Sequence, residues 1–142
     1  MKTTVIDASL LVKLFFEEED SREAVACIAE SGELLAPDFL WVQTANVIWK
    51  RHRRGDISAD TALGLMRSAL SLPVAIHPSA GLLPDALDLA MGRDRTIYDC
   101  LYLALAVQRS SVLLTGDRRL VNALAGSPLE KHIAWIGRPR RR

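Results

Sequence analysis

The chain has 142 residues, 49% of them hydrophobic and 25% charged, with a formal net charge of +1, a balance that excludes disordered and fibrous proteins. That length suits one domain with a sizeable core, so a single unit over 1–142 is expected. No apolar run approaches the roughly 20 residues that span a bilayer, and Met1-Lys2-Thr3-Thr4 leads into a strand without a signal-peptide pattern, so a cytoplasmic chain with no membrane role is expected.

Cys27 and Cys100 stand far apart in apolar surroundings with no C-x-x-C spacing, and read as small core residues of a reducing compartment. Charge is uneven along the chain. Glu17-Glu18-Glu19-Asp20 is acidic, while Lys50-Arg51-His52-Arg53-Arg54 and Arg138-Pro139-Arg140-Arg141-Arg142 are basic. Each block alone suits a solvated helix end or tail; basic clusters of this kind also neutralise phosphates. Aromatic residues are 6% of the chain and are not interleaved with the basic runs, which argues against a single-strand stacking platform.

In chain order, the β-branched run 3–6 predicts a buried strand ending at Asp7. Leu10, Leu11, Leu14 and Phe15 recur at helical spacing, which predicts a helix over 9–16. A second helix is expected over 21–29, capped by Asp20 or Ser21. Pro37-Asp38 opens a third, which runs to Gly55 and ends in basic residues suited to the negative end of its dipole. A helix over 58–70 follows, with Ser58 as N-cap. Residues 72–76 predict a strand that Pro73 confines to a sheet edge or to its own first position. Helices are expected over 83–91 and 98–107, the latter almost wholly apolar and therefore central. A strand over 111–115, a helix over 118–125 and a last strand over 133–136 complete the series. Four strands alternating with helices predict an α/β protein, with a parallel sheet covered by helices on both faces.

In such sheets the working crevice lies beyond the carboxyl ends of the strands. Asp7 leaves the first strand there, Asp117 follows the strand over 111–115 by a short turn, and Asp99 and Gln43 lie in the opening turns of two helices. Each aspartate has a local alternative: Asp7 and Asp117 as helix caps, and Thr96-x-x-Asp99 as nearly a capping box. Taken together they suggest a cation site. Asp99 is followed by Cys100-Leu101-Tyr102-Leu103, with no arginine or lysine in the next turns, so a cation is the economical partner for its charge. Carboxylates about 5 Å apart repel by roughly 3 kcal/mol per pair at an effective dielectric near 20, which a hard divalent ion relieves. All-oxygen ligands favour Mg²⁺ or Mn²⁺ over zinc, and His52, His77 and His132 are too scattered to serve as ligands. Ser9 and Thr115 carry hydroxyls placed to orient a water or a ligating carboxylate, or simply to make turns. The chemistry indicated is hydrolysis of a phosphodiester.

Val5-Ile6-Asp7-Ala8-Ser9, Ala45-Asn46-Val47-Ile48-Trp49-Lys50, Tyr98-Asp99-Cys100-Leu101-Tyr102-Leu103-Ala104-Leu105-Ala106 and Leu113-Leu114-Thr115-Gly116-Asp117-Arg118-Arg119-Leu120 closely resemble, in order and spacing, the PIN-domain family. The branch they are most similar to is the VapC-type ribonuclease toxins of bacterial toxin–antitoxin pairs. The resemblance covers essentially the whole chain. It implies a three-layer α/β/α sandwich with a central parallel sheet, Mg²⁺- or Mn²⁺-dependent cleavage of RNA, and a homodimer. It also implies a cognate antitoxin whose C-terminal segment lies across the active-site groove, DNA being reached only through that partner. The family's acidic quartet falls on Asp7, Gln43, Asp99 and Asp117, with Asp7, Asp99 and Asp117 as metal ligands; Asp94 lies outside the pattern.

Gln43 departs from the family's glutamate. Glutamine keeps the shape and a carbonyl oxygen but supplies neither negative charge nor a base, so metal affinity and turnover are expected to fall. It marks either a natural low-activity variant or a deliberate replacement, the plainer alternative being a natural glutamine that merely hydrogen-bonds within the cluster. Lys50, Arg51, Arg53 and Arg54, with the arginine tail, are expected to guide the RNA backbone. The rival reading is a catalytically weak binding module that sequesters the antitoxin and acts in operon autoregulation. A haloacid-dehalogenase phosphatase would need Asp-x-Asp where Asp7-Ala8-Ser9 stands. A response-regulator receiver wants an acidic pair before the first helix and a lysine after the last strand.

Overall fold

The structure, a computed structural model, describes residues 2–137; the tail 138–142, assigned above to RNA guidance, lies outside the described residues. Five parallel strands form one sheet: β1 (Thr4–Ile6), β2 (Leu34–Pro37), β3 (Val74–His77), β4 (Val112–Thr115) and β5 (Ile133–Trp135), in the spatial order β3-β2-β1-β4-β5. Among the described residues, seven α-helices accompany it: α1 (Ala8–Leu11), α2 (Ser21–Glu30), α3 (Phe39–Arg53), α4 (Ala59–Leu70), α5 (Leu83–Arg93), α6 (Ile97–Gln108) and α7 (Arg118–Leu124). The result is the expected three-layer α/β/α sandwich. Among the described residues no helix is long and apolar enough to cross a membrane.

Strand β2 corrects the sequence reading, which expects four strands. Leu34-Leu35-Ala36-Pro37 carries no β-branched residue and ends in proline, so apolarity is its only strand signal. It forms because it lies between β1 and β3 with all four residues buried. Pro37 has no N–H to donate, and the ladder to β3 continues through Asp38, whose N–H reaches the His77 carbonyl at 2.9 Å. Pro73 precedes β3, an edge strand. The helix expected over 9–16 is shorter: α1 gives way to a 3-10 turn over Val12–Leu14.

Local signals fix most other boundaries. Ser58 Oγ accepts the Thr61 N–H at 3.1 Å at the start of α4, and Thr96 Oγ1 accepts the Asp99 N–H at 3.2 Å at the start of α6. Gly55, just past α3, takes φ of 84°, a left-handed conformation that favours glycine. The core is built around α6. Cys100 to Ala106 are all buried, and the helix packs on β1, β2 and β4 with α5 against it. Burying Leu101, Leu103 and Leu105 contributes about 2 kcal/mol each. That packing fixes where the polar first turn of α6 points.

Candidate active site

The strand order reverses around β1: β2 and β3 extend the sheet to one side, β4 and β5 to the other. The crevice at such a switch point lies between the carboxyl ends of β1 and β4. Ile6 pairs with Leu114 in the parallel register. The next residue on each strand is Asp7 and Thr115, which therefore stand side by side. Thr115 Oγ1 donates to Asp7 Oδ2. Ser9 Oγ donates to Asp7 Oδ1 at 2.6 Å, and the Leu10 N–H donates to that oxygen at 3.0 Å. Asp7 thus caps α1 and lines the crevice at once.

The same hydroxyls organise the β4 turn. Thr115 Oγ1 accepts the Asp117 N–H at 3.0 Å and Ser9 Oγ accepts the Gly116 N–H at 2.9 Å. Asp117 in turn caps α7, with Oδ1 accepting from the Leu120 N–H at 3.2 Å. A Cβ on Gly116 would lie 2.7 Å from Lys13 Cε, so the lysine stem crosses this turn closely. Lys13 Nζ then reaches the Glu19 carbonyl at 2.8 Å and Glu18 Oε2 at 3.5 Å.

Asp7, Ser9, Gln43, Asp99, Tyr102 and Asp117 line one cavity of about 120 Å³. Larger clefts among the described residues lie elsewhere, one of about 430 Å³ between α2 and the β5 side of the sheet, and are lined by other residues. Convergence of charge, more than size, marks the site. Burial pushes the Asp7 carboxyl above the usual 3.8; bonds from Ser9, Thr115 and Leu10 oppose this, and the Asp117 charge adds to it. Burial likewise raises Asp99, then the Asp117 charge, with Arg95 opposing. The Cys100 thiol is pushed up to about 11 by burial and by Asp99, which fits an inert core residue.

Two features of the α6 end differ from expectation. Asp99 has a protein cation after all: Arg95, one turn before it, approaches Asp99 Oδ2 at 3.7 Å. The sequence reading looks only along the helix after Asp99, whereas the arginine precedes it. The pair is long and about 30% exposed on both sides, so it contributes roughly 1 kcal/mol or less and holds Asp99 weakly. The second feature is Tyr102, whose hydroxyl donates to Gln43 Oε1 between α6 and α3. Burial raises its pKa strongly, followed by the charges of Asp7 and Asp99, so the phenol stays protonated. Tyr102 reads in sequence as one more apolar residue of a core helix. The signal that finds it is its place three residues after Asp99, on the same helix face.

The donor set suits a hard divalent ion: carboxylate oxygens on three elements around one cavity, two of them with raised pKa values and Asp117 charge among the causes. It is not closed as it stands. Among the described residues no three His, Cys, Asp or Glu side chains are grouped tightly enough to encircle an ion, and Asp99 Oδ2 lies 3.7 Å from Arg95, a pairing it would leave to reach an ion. The weakness of that pair makes the movement inexpensive.

The expected RNA-guiding residues occupy the far end of α3. Lys50 to Arg54 lie 7 to 11 residues past Gln43, about 10–17 Å along the helix. Arg51 is engaged, paired with Glu18 and lying 4.5 Å over the Phe16 ring. Arg54 meets Asp56 at 3.0 Å in an exposed pair, and Arg53 stacks over Trp49 at 5.4 Å. Lys50 is exposed. Near the cavity, Phe39 and Tyr98 stack with ring centroids 5.0 Å apart at 11°. Sequence reasoning missed this pair because its members are distant in the chain.

Comparison with known proteins places the chain in a family. The PIN domain family profile matches residues 4–125. Ribonuclease VapC3 of Pyrobaculum aerophilum is 35% identical over 118 residues, 82% of this chain and 90% of that protein. A crystal structure from Pyrobaculum aerophilum superposes with a TM-score of 0.65 at 24% identity, covering 95% of this chain and 84% of the other. A toxin–antitoxin complex from Klebsiella pneumoniae contains a chain that superposes with a TM-score of 0.64 at 17% identity, covering 92% and 95%. These matches, with the switch-point site beneath them, show that the chain belongs to the PIN-domain family, in its VapC-type branch.

Proposed function

We propose that the chain is a metal-dependent endoribonuclease, the toxin of a toxin–antitoxin pair, with catalysis reduced by Gln43. The observation that carries this is the meeting of Asp7, Gln43, Asp99 and Asp117, from four separate elements, in one cavity at the switch point. The 35% identity to a ribonuclease supports RNA as the substrate. Asp7, Asp99 and Asp117 would hold Mg²⁺ or Mn²⁺. When bound, the ion supplies positive charge that strengthens a water as nucleophile and neutralises charge building on the phosphate.

The chain's own residues do the rest. Ser9 and Thr115 fix both oxygens of Asp7 in the cavity lining; Oδ1 also accepts the Leu10 N–H, so Oδ2 is the oxygen with a lone pair left for a cation. Asp117 is set by the turn that those hydroxyls brace. Lys50, Arg53 and Arg54 project from the end of α3 where a bound RNA backbone would pass, and Arg51 steadies that end through Glu18. Leu83, Leu87 and Met91 form an exposed apolar stripe along α5 that a second copy would cover in a homodimer. Exposed Val42 and Trp49 on α3, with Leu63 and Leu70 on α4, offer a surface to an antitoxin, through which the complex would reach DNA.

The direct test is cleavage of RNA with Mg²⁺ or Mn²⁺ by the chain and by Gln43→Glu. Higher turnover in Gln43→Glu is expected, with loss on adding Asp7→Asn and Asp99→Asn; cleavage indifferent to that pair would remove the proposal. The second reading, a weak module that holds the antitoxin, draws on Gln43 itself. It gains if Gln43→Glu cleaves no cellular RNA while still binding its partner.

A further inference from the structure

Helices α3 and α6 meet beside the cavity through two rungs. Phe39 and Gln43 are four residues apart on α3, and Tyr98 and Tyr102 are four apart on α6, so each pair lies on one helix face. Phe39 stacks flat on Tyr98 at 5.0 Å, and one turn on, Tyr102 donates to Gln43 Oε1. The aromatic rung thus lies one helical turn from the polar one, on the same two helix faces. Tyr102 itself is 3% exposed and cannot swing aside.

A carboxamide is planar and asymmetric: one oxygen accepts and one nitrogen donates. A phenol with its proton in place has a hydrogen that needs an acceptor, and Gln43 Oε1 provides it. The Gln43 Nε2 has no hydrogen-bond partner among the described residues and is not among the buried unpaired atoms, so it is the group that remains for the cavity. A glutamate at 43 would behave differently. Its two oxygens are equivalent, so one would accept from Tyr102 and the other would be held toward the cavity as an anionic ligand.

We infer that Tyr102 is a positioning residue that decides what position 43 offers the cavity: an N–H donor when glutamine stands there, an aimed carboxylate oxygen when glutamate does. This rests on the cavity being a divalent-cation site, as proposed above. Its consequence is specific. The glutamine does more than remove a charge: held by Tyr102, it turns a hydrogen toward the place where a ligand oxygen is wanted. The same hydroxyl therefore opposes cation binding with Gln43 and assists it with glutamate.

The test uses four full-length chains: native, Tyr102→Phe, Gln43→Glu and the double variant. Each is titrated with Mn²⁺ alone by calorimetry, and melting curves confirm folding. Tyr102→Phe is expected to tighten Mn²⁺ binding by roughly three- to tenfold in the native background, because the released amide can turn its oxygen inward. In the Gln43→Glu background it is expected to weaken binding by a similar factor, the size of one hydrogen bond. That reversal of sign is something a merely structural tyrosine would not produce. A change of the same sign in both backgrounds, or none in either, overturns the inference while leaving the cation site intact. Absence of Mn²⁺ binding by all four folded chains overturns the inference and the cation site together.

Discussion

The two sides of the cavity are built to different standards. On the β1–β4 side, Asp7 and Asp117 are tied by strand register, two hydroxyls and four backbone N–H groups, with Ser9 and Thr115 each serving more than one partner. On the α3–α6 side, Asp99 leans on a distant, half-exposed arginine, and residue 43 is held by a single phenol. The strand side is preformed, because parallel pairing places Asp7 and Thr115 together before any side chain chooses a rotamer. The helix side is adjustable, and there one substitution changes what the cavity can bind.

Substitutions on the strand side should therefore do the most damage. In the Gln43→Glu chain, Asp7→Asn is expected to lower RNA cleavage on the order of 100-fold or more, since even partners of metal ligands are worth about 10–100-fold. Single-turnover assays check this, and a loss of only a few-fold would make the two sides equal. Thr115→Val comes next. It removes the donor to Asp7 Oδ2 and the acceptor for the Asp117 N–H at a fully buried position, so a loss of about 1–3 kcal/mol of stability is expected in urea, with weaker Mn²⁺ binding.

The acid–base behaviour gives a third comparison. Asp7 and Asp99 both take up protons more readily in the folded chain than at the ordinary 3.8, so protonation favours the fold. Metal-free protein should have the full benefit of these two groups below pH 3.8 and lose it as pH rises through their raised values. Asp7→Asn should flatten that slope more than Asp99→Asn, being the more deeply buried. Melting temperature followed against pH tests the order. The smallest effect is expected from Arg95→Ala, which removes a pair worth roughly 1 kcal/mol or less and frees Asp99. Mn²⁺ affinity should rise slightly, whereas a large fall would make Arg95 part of the machinery.

Much of this is legible in the sequence. Val5-Ile6-Asp7 and Val112-Leu113-Leu114-Thr115 announce strands whose ends carry polar groups, and parallel pairing brings those ends together. Caps at Ser58 and Thr96 and the glycine at 55 follow from local chemistry alone. What escapes is whatever depends on tertiary context. Leu34-Leu35-Ala36-Pro37 becomes a central strand through burial alone, against its propensity. Arg95 and Tyr102 flank Asp99 at −4 and +3, yet one resembles a loop cation and the other a core aromatic until the helix is placed against α3. The basic run 50–54 is visible as charge, but only the fold shows that Arg51 is engaged with Glu18.

Anomalous scattering from crystals of this chain soaked in Mn²⁺ bears most directly on the shared cation site. A peak is expected inside the cavity between β1 and β4, with Asp7, Asp99 and Asp117 oxygens at about 2.1 Å and Asp99 turned away from Arg95. A cavity free of manganese while ions bind elsewhere, or a peak coordinated by Gln43 without the aspartates, would contradict that expectation.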